Sequence, residues 1–123
     1  MLATTAIVTD TADPNDDRLD LIFHALADRT RRALLARLAN GSERVTNLAI
    51  PFDMSLNAVS KHIRVLERAG LVARSVNGRI HRCSLGAEPL HEITQWLDYY
   101  RTFWEDALAA IADYVESDRD IEQ

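Results

Sequence analysis

The chain has 123 residues, 47% of them hydrophobic, and a formal net charge of −5; that fits one ordinary domain with a packed core and argues against wholesale disorder. No apolar run approaches the ~20 residues that span a bilayer, and the first fifteen residues carry no basic residue and no signal-peptide pattern. A single cysteine, Cys83, excludes a disulfide scaffold, so the expected compartment is the cytoplasm.

In chain order, residues 1–15 read as a loose tail with a short Ala6-Ile7-Val8 patch. A first helix is expected from Asp16-Asp17, whose carboxylates suit a helix N-terminus. Leu19, Ile22, Phe23 and Leu26 form its apolar stripe. Asp28 caps a second helix over 29–39, with Ala33, Leu34, Leu35 and Leu38 inward and Asn40-Gly41 as its stop. Thr46 is expected to cap a short helix, Asn47 to Ile50, closed by Pro51. Ser55 caps a longer helix that runs to Ala69 and ends at Gly70. Two helices joined by so tight a turn form a helix-turn-helix.

Next, Val72–Val76 and Arg79–Leu85 flank Asn77-Gly78, a strong hairpin signal through a type I′ turn. An isolated two-stranded hairpin is marginal, so it must lie against the helices as a wing. A last helix is expected from Glu88-Pro89 to Val115 or Glu116, followed by an acidic tail over 117–123. The domain therefore spans 16–116, mainly α with a small β-hairpin. The last helix repeats Leu90, Ile93, Leu97, Tyr100, Trp104, Ala107, Ile111 and Val115 in near-heptad steps. At ~1.5 Å per residue it would be about 40 Å long, more than this domain's own core can cover. The simplest use of the seam is a dimer interface, with the first helix as neighbour. The competing use is an intramolecular core helix.

Charge is segregated along the chain. Residues 29–82 hold eleven bases and three acids, net +8, against −5 for 1–28 and −8 for 83–123. A basic middle between acidic flanks is the footprint of one face that meets phosphate. Stepping about 100° per residue from Leu56 gathers Leu56, Val59, Ile63 and Leu66 on a core face. Asn57, Lys61, Arg64 and Arg68 fall opposite, with Ser60 and His62 flanking and no acid among them. A major groove admits such a helix, whose first turns reach base edges. Asn57, Ser60 and Lys61 are therefore the candidate base contacts, with Ser55 at the helix start and His62 as a groove-edge donor. Arg64 and Arg68 are candidate phosphate contacts. Gly78 and Arg79 at the wing tip, with Arg74 on its strand, extend the DNA-binding set; Arg74 and Arg82 serve equally well as strand solubility. Arg29, Arg31, Arg32 and Arg37 have mixed roles, near phosphate or against the acids of the first helix.

Ala25-Leu-Ala-Asp-Arg-Thr-Arg-Arg-Ala-Leu-Leu35 resembles the opening of the ArsR/SmtB family of winged helix-turn-helix repressors. Met54-Ser-Leu-Asn-Ala-Val-Ser-Lys-His-Ile-Arg-Val-Leu-Glu-Arg-Ala-Gly-Leu-Val72 resembles that family's recognition helix and its exit, and the likeness extends over about 19–115. The resemblance implies a homodimer that binds an inverted-repeat operator in double-stranded DNA and represses transcription. It also implies dimerisation through the first and last helices, here Leu19, Ile22, Phe23, Leu90, Ile93, Leu97, Tyr100, Trp104 and Ile111. Asn57, Ser60 and Lys61 match positions that contact bases in relatives. Arg29 stands where proline is usual, and Asn57 where a proline or small residue is common.

Metal-sensing members carry a Cys-x-Cys type motif on the first helix of the helix-turn-helix. Here that segment reads Val45-Thr-Asn-Leu-Ala-Ile50, with no metal donor. On the last helix only His91 and Glu105 come near the family's zinc positions, with Thr102 where a second histidine is needed. No metal or cofactor is expected, and the sequence names no effector. Cys83 reads as packing rather than a redox sensor or an intersubunit disulfide. No phosphate loop, nucleophile elbow or carboxylate pair points to an enzyme. The reading is a DNA-binding regulator; the alternative is a protein-interaction module on the same fold.

Overall fold

The computed structural model describes residues 14–122, and the chain divides into two compact units, one up to Leu90 and one from His91. The first unit runs α1 (Pro14–Leu26), α2 (Arg29–Leu38), β1 (Glu43–Arg44), α3 (Val45–Ala49), α4 (Leu56–Arg68), β2 (Val72–Asn77) and β3 (Ile80–Leu85). Helix α5 (Glu88–Glu122) begins at the end of the first unit and makes up the second. The architecture is mainly helical with a small antiparallel sheet. Of the expected tail, residues 1–13 lie outside the described residues, while Pro14 and Asn15 already belong to α1. Proline is at home in a first helical turn, where no N–H is needed.

The core of the first unit is built from one face of each helix. Ile22 and Ala25 from α1, Leu34 and Leu38 from α2, Leu48 from α3, and Val59, Ile63 and Leu66 from α4 are all buried, with Leu71, Val72 and Cys83 below them. Fully burying an aliphatic side chain of this size contributes about 1.5–3 kcal/mol. Two residues depart from the expected core. Ala33 is exposed, and Leu56, expected inward, is 48% exposed. Leu56 is the first residue of α4, one turn ahead of the packed Val59, so it projects past the edge of the core.

Local signals account for the helix ends. The Asp28 carboxylate accepts from Arg31 N at 3.0 Å, and Ser55 Oγ accepts from Ala58 N at 3.1 Å. Each satisfies one of the free amides of a first turn. Helix α4 closes in a Schellman motif: Gly70 N donates to Glu67 O and Leu71 N to Leu66 O, both at 2.9 Å. Gly70 sits at φ +77°, in the left-handed region that motif needs.

The short helix differs from expectation. It begins at Val45, with Arg44 at the N-cap position and no side-chain cap; Thr46 lies inside it. The cause is a strand that has no sequence pattern to read. Glu43 and Arg44 pair antiparallel with Cys83 and Arg82, giving a three-stranded sheet in the order β1-β3-β2. This pairing holds Arg44 extended and starts the helix at the next residue, with Val45 buried. The hairpin turn is also shifted by one residue. Asn77 pairs with Ile80, so Gly78 and Arg79 are the two loop residues. Gly78 has φ +64° and no described non-glycine residue has positive φ. That is the type II′ pattern, with glycine first, in place of the I′ turn expected from Asn77-Gly78.

Helix α5 has 35 residues, about 52 Å at 1.5 Å per residue. It continues beyond Val115 to Glu122, where the sequence pattern alone ended at 115 or 116. The apolar seam stops near Val115, but no glycine or proline follows to break the helix. Leu90 is half-buried and Ile93 buried; Leu97, Tyr100, Trp104, Leu108, Ile111 and Val115 are exposed. Trp96, Tyr99, Phe103 and Tyr114 widen the exposed apolar arc. Trp96 and Tyr99 each pack a ring on Tyr100, with centroids 4.8 and 5.1 Å apart.

Candidate DNA-binding surface

The outer face of α4 follows from its inner one. Because Val59, Ile63 and Leu66 are committed to the core, Asn57, Lys61, Arg64 and Arg68 must point outward, and all four are exposed. No hydrogen bond or ion pair joins these four to any described side chain. They form a cationic strip with unspent hydrogen-bonding capacity. Ser55 is exposed, but its hydroxyl is occupied as the helix cap.

Two expected contacts are turned to structural work. His62 is half-buried, and its Nδ1 accepts from Arg31 Nη1 at 3.2 Å, with Asp28 Oδ2 3.8 Å away. The longer contact exceeds hydrogen-bond reach, so the Arg31 bond is the one that orients the ring. Arg31 also donates to the carbonyls of Ala25 at 2.7 Å and His24 at 2.9 Å. Arg32 donates to Leu26 O at 2.7 Å. Arg31 and Arg32 thus satisfy the C-terminal carbonyls of α1, and Arg37 pairs with Glu43 at 3.0 Å. The Arg31 amide bond holds the Asp28 carboxyl below the usual aspartate range, against a smaller opposing effect of burial.

Arg74 is the second. Its Nη2 lies 2.6 Å from Glu67 Oε1, and its Nη1 donates to His81 Nδ1 at 3.2 Å. The hydrogen bond with Glu67 pushes the guanidinium further into its charged range. Arg74 therefore ties the wing to the end of α4, and its charge is already matched. Arg82, on the other strand, donates to the carbonyl and hydroxyl of Ser42, both at 3.3 Å.

Ser60, Arg74 and Arg79 come together with Leu56 in one cleft of about 280 Å³. Arg44, Val45, Thr46 and His81 complete its lining. Gly78 sits at the exposed tip of the same hairpin. No sequence pattern points to Arg44, Thr46 or His81 in this surface. Their approach depends on the β1–β3 pairing, which a two-residue strand does not announce. The remaining α4 residues, Asn57, Lys61, Arg64 and Arg68, lie outside the cleft on the open face.

Of the residues expected at a dimer interface, Ile22 is fully buried within its own chain and Ile93 nearly so. They can support an interface but have no surface to contribute. Leu19 and Leu90 are half-buried; Phe23, Leu97, Tyr100, Trp104 and Ile111 are exposed. Cys83 is completely buried, and burial pushes its thiol above the ordinary cysteine value. Among the described residues no three His, Cys, Asp or Glu side chains come together to hold a metal ion. Nor is any described helix long and apolar enough to cross a membrane.

Comparison with known proteins gives a consistent picture. A helix-turn-helix domain family matches residues 26–74. The HTH-type transcriptional regulator Rv2034 of Mycobacterium tuberculosis is 38% identical over 101 residues, covering 82% of this chain and 92% of the relative. The transcriptional repressor SdpR of Bacillus subtilis is 28% identical over 76 residues, covering 62% of this chain and 84% of its own. A crystal structure of an ArsR family transcriptional regulator superposes with a TM-score of 0.69 at 43% identity, covering 72% of this chain and 92% of that one.

Proposed function

The chain belongs to the ArsR family of winged helix-turn-helix transcriptional regulators, and on that premise we propose that it represses transcription as a cytoplasmic homodimer on an inverted-repeat operator. That it is a DNA-binding regulator comes with the family. The outer face of α4 carries the finer reading: Asn57, Lys61, Arg64 and Arg68 are exposed, without an acid among them, on a helix whose other face is core. Asn57, Lys61 and Ser60 stand in the first two turns, where a helix in the major groove meets base edges. Arg64 and Arg68 follow toward the phosphates, and Arg79 adds a cation at the wing tip.

Two such helices are needed to read an inverted repeat, and α5 supplies the means. Its exposed Leu97, Tyr100, Trp104 and Ile111 stripe is an apolar surface of the kind that marks a protein interface. Repression is supported by the kinship with a named repressor. The interaction-module reading has no observation in its favour, because it leaves the cationic strip without a task. Footprinting on the DNA upstream of the chain's own gene tests the proposal. Two protected half-sites about 10 base pairs apart, or a multiple of that, are expected; protection of a single half-site, or none, overturns it.

A further inference from the structure

We propose that the cleft between α3, the first turn of α4 and the sheet is a seat for one DNA phosphate, gripped by Arg44 and Arg79. The inference rests on the DNA-binding reading above and assigns a role to Arg44, which no feature of the recognition helix predicts. The cleft holds about 280 Å³ and its lining contains three arginines and no acid. Arg74 is matched by Glu67 at 2.6 Å. Arg44 and Arg79 are exposed and bond to no described side chain. Two unmatched guanidinium groups on one cleft are the fork donors that phosphate oxygens accept from.

Arg44 is held at the cleft by the β1–β3 pair, one residue ahead of α3. The hydroxyl of Thr46 adds a neutral donor, and Leu56, 48% exposed, offers an apolar wall for a deoxyribose. The cleft also lies where a phosphate must pass. A helix in the major groove is bounded on each side by a sugar-phosphate strand. Here the first turn of α4 forms one wall of the cleft and the wing another, so the strand beside the helix runs through it.

The test is a salt series of DNA titrations with the full chain, on the footprinted upstream duplex and on a scrambled duplex. Wild type is compared with Arg44→Gln, Arg79→Gln and, as a control outside the cleft, Arg82→Gln. Each cleft variant should weaken binding to both duplexes about tenfold. Each should also reduce the slope of log K against log salt by about one, leaving the preference between the duplexes unchanged. Circular dichroism melts should match wild type, because both side chains are exposed. An unchanged slope and affinity for Arg44→Gln overturns the phosphate seat, as does an equal loss in Arg82→Gln. If wild type itself does not prefer the upstream duplex, the operator reading fails instead, and the slopes on scrambled DNA still decide the seat.

Discussion

Glu67 Oε1 and Arg74 Nη2 stand 2.6 Å apart, joining the last turn of α4 to the first strand of the wing. Both side chains are partly shielded, with 29% and 20% of their surface exposed. A charge-assisted bond of this kind contributes on the order of 1 kcal/mol. Glu67→Gln should therefore lower the melting temperature by about 4 °C. DNA affinity should fall as well, because the wing loses its tie to α4. A melting temperature equal to wild type would show that the pair does not fix the wing.

The Asp28 cap makes a pH prediction with a definite sign. Its carboxyl is held below the usual aspartate value chiefly by the Arg31 amide. The stabilisation is thus complete above the unfolded value, ~3.9, and is lost as pH falls through the lower folded value. Asp28→Ala should cost about 1 kcal/mol at neutral pH. The gap between the two melting temperatures should narrow below about pH 4. A gap that stays constant to pH 2 would place the cost elsewhere than in the ionised cap.

Lys61 projects from the second turn of α4 with no described partner. Lys61→Ala should weaken operator binding about tenfold while the fold and the oligomer persist. Unchanged affinity in a titration would remove Lys61 from the interface.

Leu97 and Trp104 lie two turns apart on the exposed stripe of α5, 49% and 63% exposed. Replacing both by Glu should convert a dimer of twice 13.9 kDa into a monomer in analytical ultracentrifugation. The first unit should keep its helical signature, since neither residue belongs to its core. A sedimentation profile identical to wild type would defeat α5 as the interface.

Cys83 has no surface exposure and a raised thiol pKa. A thiol reagent at pH 8 should label it only after denaturation. Rapid labelling of the native protein would contradict its burial.

What the sequence disclosed and what it hid divide along physical lines. Ser55 and Gly70 mark the bounds of α4 through bonds made within one turn, so local chemistry is enough to read them. The inward Val59, Ile63 and Leu66 follow from a helical period. The pairing of Glu43-Arg44 with Cys83 and Arg82 joins segments about forty positions apart, and a two-residue strand has no period. Its consequences were hidden with it: the start of α3 at Val45, and the approach of Arg44 to the wing. The turn shifted because Asn77-Gly78 and Gly78-Arg79 offer the same glycine to two turn types, and cross-strand register chose between them. Arg74 and His62 read only as candidate DNA contacts because their partners, Glu67 and Arg31, are set by tertiary packing. The outer strip of α4 needed no such knowledge, since it is what remains once the core face is assigned.

The most direct measurement is a fluorescence anisotropy titration of the full chain against the upstream duplex and a scrambled duplex of equal length, at ~0.15 M salt. A sequence-specific regulator should bind the upstream duplex about a thousandfold or more tightly than the scrambled one. Equal affinity for the two would contradict sequence-specific recognition by α4.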